Sequence, residues 1–205
     1  MAAPPWTRLF RRIRYGEPIV VVSGLPRSGT SMAMKMIEAG GINTVTDNKR
    51  LADEDNPKGY YEDERVMNLA QMEDKGWLVD ARGKAIKVIS YLLRELPGHY
   101  NYRVLFMHRH IDEVLASQAK MLTRRGEDDG PQDDKMRQIF EADVWRSKYL
   151  LRRSSHFEWL EVGYSEVLAE PMRQAERMNE FLGNSLDVQR MAEVVDPDLY
   201  RNRAG

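Results

Sequence analysis

Cysteine is absent from the chain. That excludes disulfides, zinc–thiolate sites and cysteine nucleophiles, and it fits a reducing compartment, so a cytoplasmic location is expected. Apolar runs are short: none approaches the roughly 18–20 residues of a membrane-spanning helix, and the first residues lack the apolar core of a secretory signal. Net charge is nearly missing, −1 at pH 7, so no global field recruits nucleic acid. His108 and His110 flank Arg109, but no cluster of carboxylates or further histidines completes a metal site around them. What is present, 205 residues with 42% apolar and 31% charged, suffices for one α/β core and hardly for two. A single domain is therefore expected over 1–205, with 1–17 a basic amphipathic lead-in and 196–205 a polar tail.

The most informative stretch runs from Ile19 to Ser31. Four consecutive apolar residues, Ile19 to Val22, suit a central parallel strand covered on both faces. Gly24 and Gly29 allow a sharp turn and the close approach of an anion. A helix then opens at Ser28 to Ser31, and its first N–H groups, together with its dipole, face that anion. The spacing is close to Gly-x-x-x-x-Gly-Lys-[Ser/Thr], the loop that cradles nucleotide triphosphates. Thr30, however, stands where the lysine belongs, and the nearby cation is Arg27, inside the turn. The loop is thus expected to bind phosphate without hydrolysing ATP or GTP.

The remainder alternates strands with helices. Strands are expected at Lys84–Ile89, Tyr102–Met107 and Phe157–Val162, with a short one at Thr44–Thr46. Helices are expected from Met32 to Ala39, from about Glu64 through Met72, from Asp112, over Lys135–Arg153, from Pro171 to the stop at Gly183, and over Leu186–Val195. Turn-rich segments at Asp47–Lys58 and Arg124–Asp134 read as loops. Such alternation implies right-handed crossovers and a three-layer α/β/α fold around a parallel sheet.

A second motif supports the phosphate reading. Arg109 ends the Tyr102–Met107 strand region and Ser117 follows eight positions later on the next helix. A guanidinium is a forked, permanently charged phosphate clamp, and a hydroxyl adds a donor. Pro26-Arg27-Ser28-Gly29-Thr30-Ser31, the Arg109/Ser117 pair, and Tyr164-Ser-Glu-Val-Leu with Pro171 and Phe181-Leu182-Gly183 together resemble the sulfotransferase family, a P-loop-like fold, in a short bacterial-type member. The resemblance runs with gaps from Pro18 to Gly183. It implies binding of the sulfuryl donor PAPS (3′-phosphoadenosine-5′-phosphosulfate). Its phosphosulfate would lie on Gly24, Pro26, Arg27, Ser28, Gly29, Thr30 and Ser31, and its 3′-phosphate on Arg109 and Ser117. Sulfuryl transfer to a hydroxyl or amine of a small-molecule or carbohydrate acceptor would follow. A P-loop kinase and a non-catalytic nucleotide-binding module are the alternatives. The family's terminal Arg-Lys-Gly loop has no clear counterpart; Arg201 and Arg203 are possible substitutes.

Arg27 is placed to neutralise charge on the leaving group. Cytosolic sulfotransferases of this family carry a catalytic histidine after a Lys-Thr motif; the comparable region here is Lys87-Val88-Ile89-Ser90, without it. Carbohydrate sulfotransferases often use a glutamate in a loop after the first helix, and Lys58-Gly-Tyr60-Tyr61-Glu62-Asp63 resembles that region. Glu62 is therefore the candidate base, and Lys87 a candidate partner of the transferred group. Acceptor selection is expected from the Asp47–Lys58 and Arg124–Asp134 loops. At the N-terminus Trp6, Leu9, Phe10 and Ile13 recur at helical spacing beside Arg8, Arg11, Arg12 and Arg14. Such a stripe most commonly packs on its own domain; with four arginines it also suits an anionic membrane surface or a partner.

Overall fold

In a computed structural model of the chain, residues 5–47, 61–126 and 133–196 are described. They form a four-stranded parallel sheet: β1 (Ile19–Gly24), β2 (Ala85–Ile89), β3 (Tyr102–His108) and β4 (Phe157–Gly163), in spatial order β2-β1-β3-β4. The helices are α1 (Pro5–Tyr15), α2 (Thr30–Ala39), α3 (Glu64–Met67), α4 (Ile111–Arg125), α5 (Asp133–Arg153), α6 (Tyr164–Ala169), α7 (Pro171–Leu182) and α8 (Val188–Glu193). Two 3₁₀ segments, Gly76–Ala81 and Ser90–Glu95, flank β2 in sequence.

The run Ile19–Val22 is apolar throughout because β1 is central and covered twice. Ile19 and Val21 face one core with Ile86, Val88, Tyr102, Val104 and Phe106. Val20 and Val22 face the other with Leu105, Met107, Met34, Ile37, Met178 and Phe181. Leu151 of α5 and Leu92 and Leu93 of the second 3₁₀ segment close the first face, while α2, α7 and α8 close the second. Three layers result, as the alternation predicts.

The chain leaves β1 through α2 on the second face, whereas β3 leads through α4 to α5 on the first. Adjacent strands β1 and β3 thus send their connections to opposite sides, which opens a crevice at their carboxyl ends. Open α/β sheets place ligands at that kind of switch point.

Several elements differ from expectation. The helix expected through Met72 stops at Met67, though Val66 and Leu69 still reach the core. It is capped at the start by Asp63, whose carboxylate accepts from the Arg65 amide at 2.9 Å. The final helix spans Val188–Glu193, because Asp187 rather than Leu186 provides its N-cap. Thr44 makes a lone bridge to Ala85 instead of a strand.

The largest departure is α1, whose apolar stripe does not pack on the domain. Arg11 is the buried residue, 8% exposed, and donates to Asn101 Oδ1 from Nε (3.0 Å) and Nη2 (2.8 Å). Glu158 on β4 lies 3.5 Å from Arg8, 3.6 Å from Arg11 and 3.9 Å from Arg103, so one carboxylate gathers three guanidinium groups at the starting edge of β3 and β4.

Nearby, half-buried His156 packs against Tyr102 and Phe157, and burial lowers its pKa, with Arg11 adding to the effect. The unfolded chain then takes up a proton below about pH 6.5 that the folded chain refuses. This contribution to stability is complete above that pH and is lost as pH falls through it. Thermal melts from pH 7.5 to 5.5 are expected to show a falling Tm, with a shallower slope in His156→Gln; identical slopes would assign the pH dependence elsewhere.

Candidate active site at the ends of β1 and β3

The loop after β1 is held in a conformation that few residues tolerate. Gly24 has φ 146°, and a Cβ there would lie 2.6 Å from both the Met107 carbonyl oxygen and Ser28 Oγ. Glycine is therefore required by space as well as by backbone angle. Ser28 is buried and its hydroxyl donates to the Leu25 carbonyl at 2.7 Å, closing the turn. Arg27 is left-handed at φ 67°, and Gly29, the N-cap of α2, is left-handed at φ 96°. Left-handed residues alternating in a turn gather N–H groups around a concavity suited to an anion. With a glycine as N-cap, no side chain from that position closes the end of α2, which begins at Thr30 and Ser31.

Arg109 and Ser117 come to this loop from β3 and α4. Arg109 donates from Nη1 to the Arg27 carbonyl oxygen at 3.1 Å. Arg27 in turn donates from Nε to Ser117 Oγ at 3.0 Å. Three residues singled out in the sequence as two phosphate sites therefore form one continuous cluster. The contacts also account for the strained Arg27 backbone, a conformation costing about 1–2 kcal/mol for a residue with a side chain, because both its carbonyl and its side chain are fixed from β3 and α4.

Two further residues complete the cluster and were not among those chosen from sequence. Glu113, in the first turn of α4, accepts from Arg109 Nε at 2.9 Å, with both side chains almost fully buried. Its position four residues after Arg109 was the available signal. Tyr164, the first residue of α6, lies with its ring 4.4 Å from the Arg109 guanidinium carbon. That ring also lies against Gly29, where a Cβ would sit 2.5 Å from Tyr164 Cδ2. Burial raises the phenol's pKa, so it stays protonated. The ring thus fills the space between the helix start and the arginine, and fixes the guanidinium plane.

Lys87 and Glu62 make a second pairing. Lys87 stands in register with Val22 of β1 and so projects toward α2. Its ammonium donates to Glu62 Oε1 at 3.3 Å, with the lysine side chain 7% and the glutamate 18% exposed. The Glu62 carbonyl accepts from Thr46 Oγ1 at 3.0 Å, anchoring this segment beside the sheet. Residues 48–60 and 127–132, most of the two loops expected to select the acceptor, lie outside the described residues, as do Arg201 and Arg203.

Chemically, the end of β1 offers two arginines, one glutamate, hydroxyls and a helix start, an arrangement for binding an anion with more than one charged group. No family model matches the chain, and no curated protein resembles it in sequence. Among solved structures, the sulfotransferase domain from the curacin biosynthetic pathway superposes with a TM-score of 0.52 at 15% identity, over 89% of this chain and 79% of that one. The sulfotransferase domain of the Synechococcus PCC 7002 olefin synthase gives 0.51 at 14%, over 91% and 83%. The chain has the fold of these sulfotransferase domains.

The Gly29–Tyr164 contact is directly testable. Gly29→Ala meets both a left-handed backbone and the tyrosine ring, so a loss of about 2–4 kcal/mol is expected in denaturant unfolding. In a Tyr164→Ala background, itself destabilised, Gly29→Ala is expected to cost only about half as much, since the steric part is gone; the same cost in both backgrounds would mean the two residues do not oppose each other.

Proposed function

We propose that this chain transfers a sulfuryl group from PAPS to a hydroxyl or amine of a small-molecule or carbohydrate acceptor. The observation that carries the reading is the Arg27–Ser117–Arg109 cluster, built at the switch point of a sulfotransferase-type fold on a phosphate loop with threonine in the lysine position. A donor with phosphates at both its 5′ and 3′ positions matches a cluster in which a loop arginine touches the serine that accompanies a second arginine. Gly24 and Gly29 let this loop close against Met107, Ser28 and Tyr164.

PAPS when bound supplies an activated sulfuryl group whose departure leaves charge on a phosphate oxygen. The roles of the chain's residues follow from that need. Gly24, Gly29, Thr30 and Ser31 form the concave loop and helix start that receive the 5′ end, and Pro26 with Ser28 keeps the turn closed. Arg27, inside the turn, offsets charge growing on the leaving oxygen, the kind of preorganised electrostatic stabilisation that dominates such transfers. Arg109 and Ser117 hold the 3′-phosphate, with Glu113 and Tyr164 fixing the guanidinium. Glu62 takes the acceptor's proton, a contribution of roughly 10²–10⁴-fold in rate. Lys87 holds Glu62 in place and supports the transferred group.

A second reading, a module that binds the nucleotide without transferring sulfate, is favoured by one observation: Glu62 is already engaged by Lys87 in a largely buried ion pair. Calorimetry with PAP, the 3′,5′-bisphosphate product, alongside transfer assays on phenols, alcohols and sugars separates the readings. Arg109→Ala is expected to weaken PAP binding by at least about tenfold more than binding of adenosine 5′-phosphate, given about 1.5–3 kcal/mol for a charge-assisted contact. Absence of PAP binding by the intact protein would overturn both readings. Glu62→Gln is expected to cut transfer at least about 10²-fold with PAP affinity unchanged; transfer at the unaltered rate would remove Glu62 from the role of base.

A further inference from the structure

The orientation of α1 is the feature that the enzymatic reading leaves unused. Its four large apolar residues are turned to solvent: Trp6 is 74% exposed, Leu9 60%, Phe10 58% and Ile13 77%. At about 100° per residue, they occupy an arc about 100° wide. Arg12 and Arg14, both exposed, fall just beyond the two edges of that arc, and Arg8 and Arg11 fall on the opposite side, against the domain. The helix carries no acidic residue.

We infer that α1 is a docking element for an anionic lipid surface, on which it lies flat with Trp6, Leu9, Phe10 and Ile13 in the headgroup–acyl boundary. The charge arrangement selects this occupant. A surface with negative headgroups above apolar chains matches an apolar arc bordered on each side by an arginine. A second copy of the same face matches less well: pairing two such helices brings the bordering arginines of one toward those of the other, and the one acid beside them, Glu17 just past the helix, is already paired with Arg12 of its own chain. The binding of Arg11 to Asn101 and of Arg8 and Arg11 around Glu158 makes the orientation a built one, since rotating the apolar arc inward would expel a buried guanidinium and strand a carboxylate that also faces Arg103.

Docking leaves the candidate active site clear. The helix rests on the starting edge of β3 and β4, through Asn101 and Glu158, whereas Arg27 and Arg109 follow the opposite edge. Six residues of β1 separate the edges, about 20 Å at some 3.3 Å per residue. A docked helix therefore does not cover the cradle.

Co-sedimentation of the full chain with vesicles tests the inference. Binding is expected to phosphatidylcholine vesicles containing about 30% phosphatidylserine, and to weaken at least about tenfold at 0.5 M salt or on pure phosphatidylcholine. The double variant Leu9→Ser, Ile13→Ser, altered only at exposed positions, is expected to lose at least about tenfold in vesicle affinity while keeping the parent Tm. Arg12→Gln with Arg14→Gln is expected to weaken binding to anionic vesicles and leave the little binding to neutral ones unchanged, which keeps the test valid whatever the serine variant does to folding. A blue shift of tryptophan emission on vesicle binding, missing in Trp6→Phe, would place that ring in the boundary. No binding to anionic vesicles, or equal binding to both kinds, would overturn the inference. So would a dimer in light scattering that the Leu9→Ser, Ile13→Ser variant dissolves.

Discussion

The loop after β1 depends on one backbone position. Arg27 sits in a left-handed conformation that a side chain disfavours, and it is kept there by its carbonyl, which accepts from Arg109, and by its guanidinium, which donates to Ser117. If those contacts were removed, the turn would lose the constraint that sets the start of α2 against β3. The same groups that give the site its charge thus hold its shape. Site charge and local stability are coupled here, with strain at the loop sustained by the surrounding structure. Glu113 supports the arrangement from α4 and Tyr164 from α6, so five separate elements of the chain meet at one turn.

Position on the sheet explains why these elements meet there. β1 and β3 are neighbours whose connections depart on opposite faces, and both the loop and Arg109 lie where they diverge. The two cores on either side hold the strands in register, Gly24 beside Met107, so that the chain emerging from one strand is within hydrogen-bond reach of the chain emerging from the other.

Much of this was legible in the residues themselves. The apolar run Ile19–Val22 announces a doubly covered strand, and the glycine spacing announces a tight turn into a helix. The interval from Arg109 to Ser117 pointed to a phosphate clamp, and the structure brings both residues to Arg27. What sequence did not reveal depends on long-range neighbours. Tyr164 was visible as part of a late motif, but its packing against Gly29 is a property of the folded sheet. The orientation of α1 was equally hidden: periodicity shows that a helix has an apolar face, and only Asn101 and Glu158 determine that the arginine face is the one that docks. The start of the last helix shifted to Val188 because its capping residue, Asp187, sets it more firmly than the apolar pattern did.

The distances along the chain between the partners of Arg27 bear on how the protein is made. Its contacts with Arg109 and Ser117 span 82 and 90 residues, and among the described residues the sheet that frames them is built of parallel pairings, each requiring a crossover. Loop-closure entropy must be met before such contacts contribute anything, which slows folding. During synthesis the turn after Gly24 emerges well before Arg109, Ser117 and Tyr164, and it has nothing to hold its left-handed residues until they arrive. The turn after β1 then completes its side-chain contacts only once β3, α4 and α6 have been added to the chain.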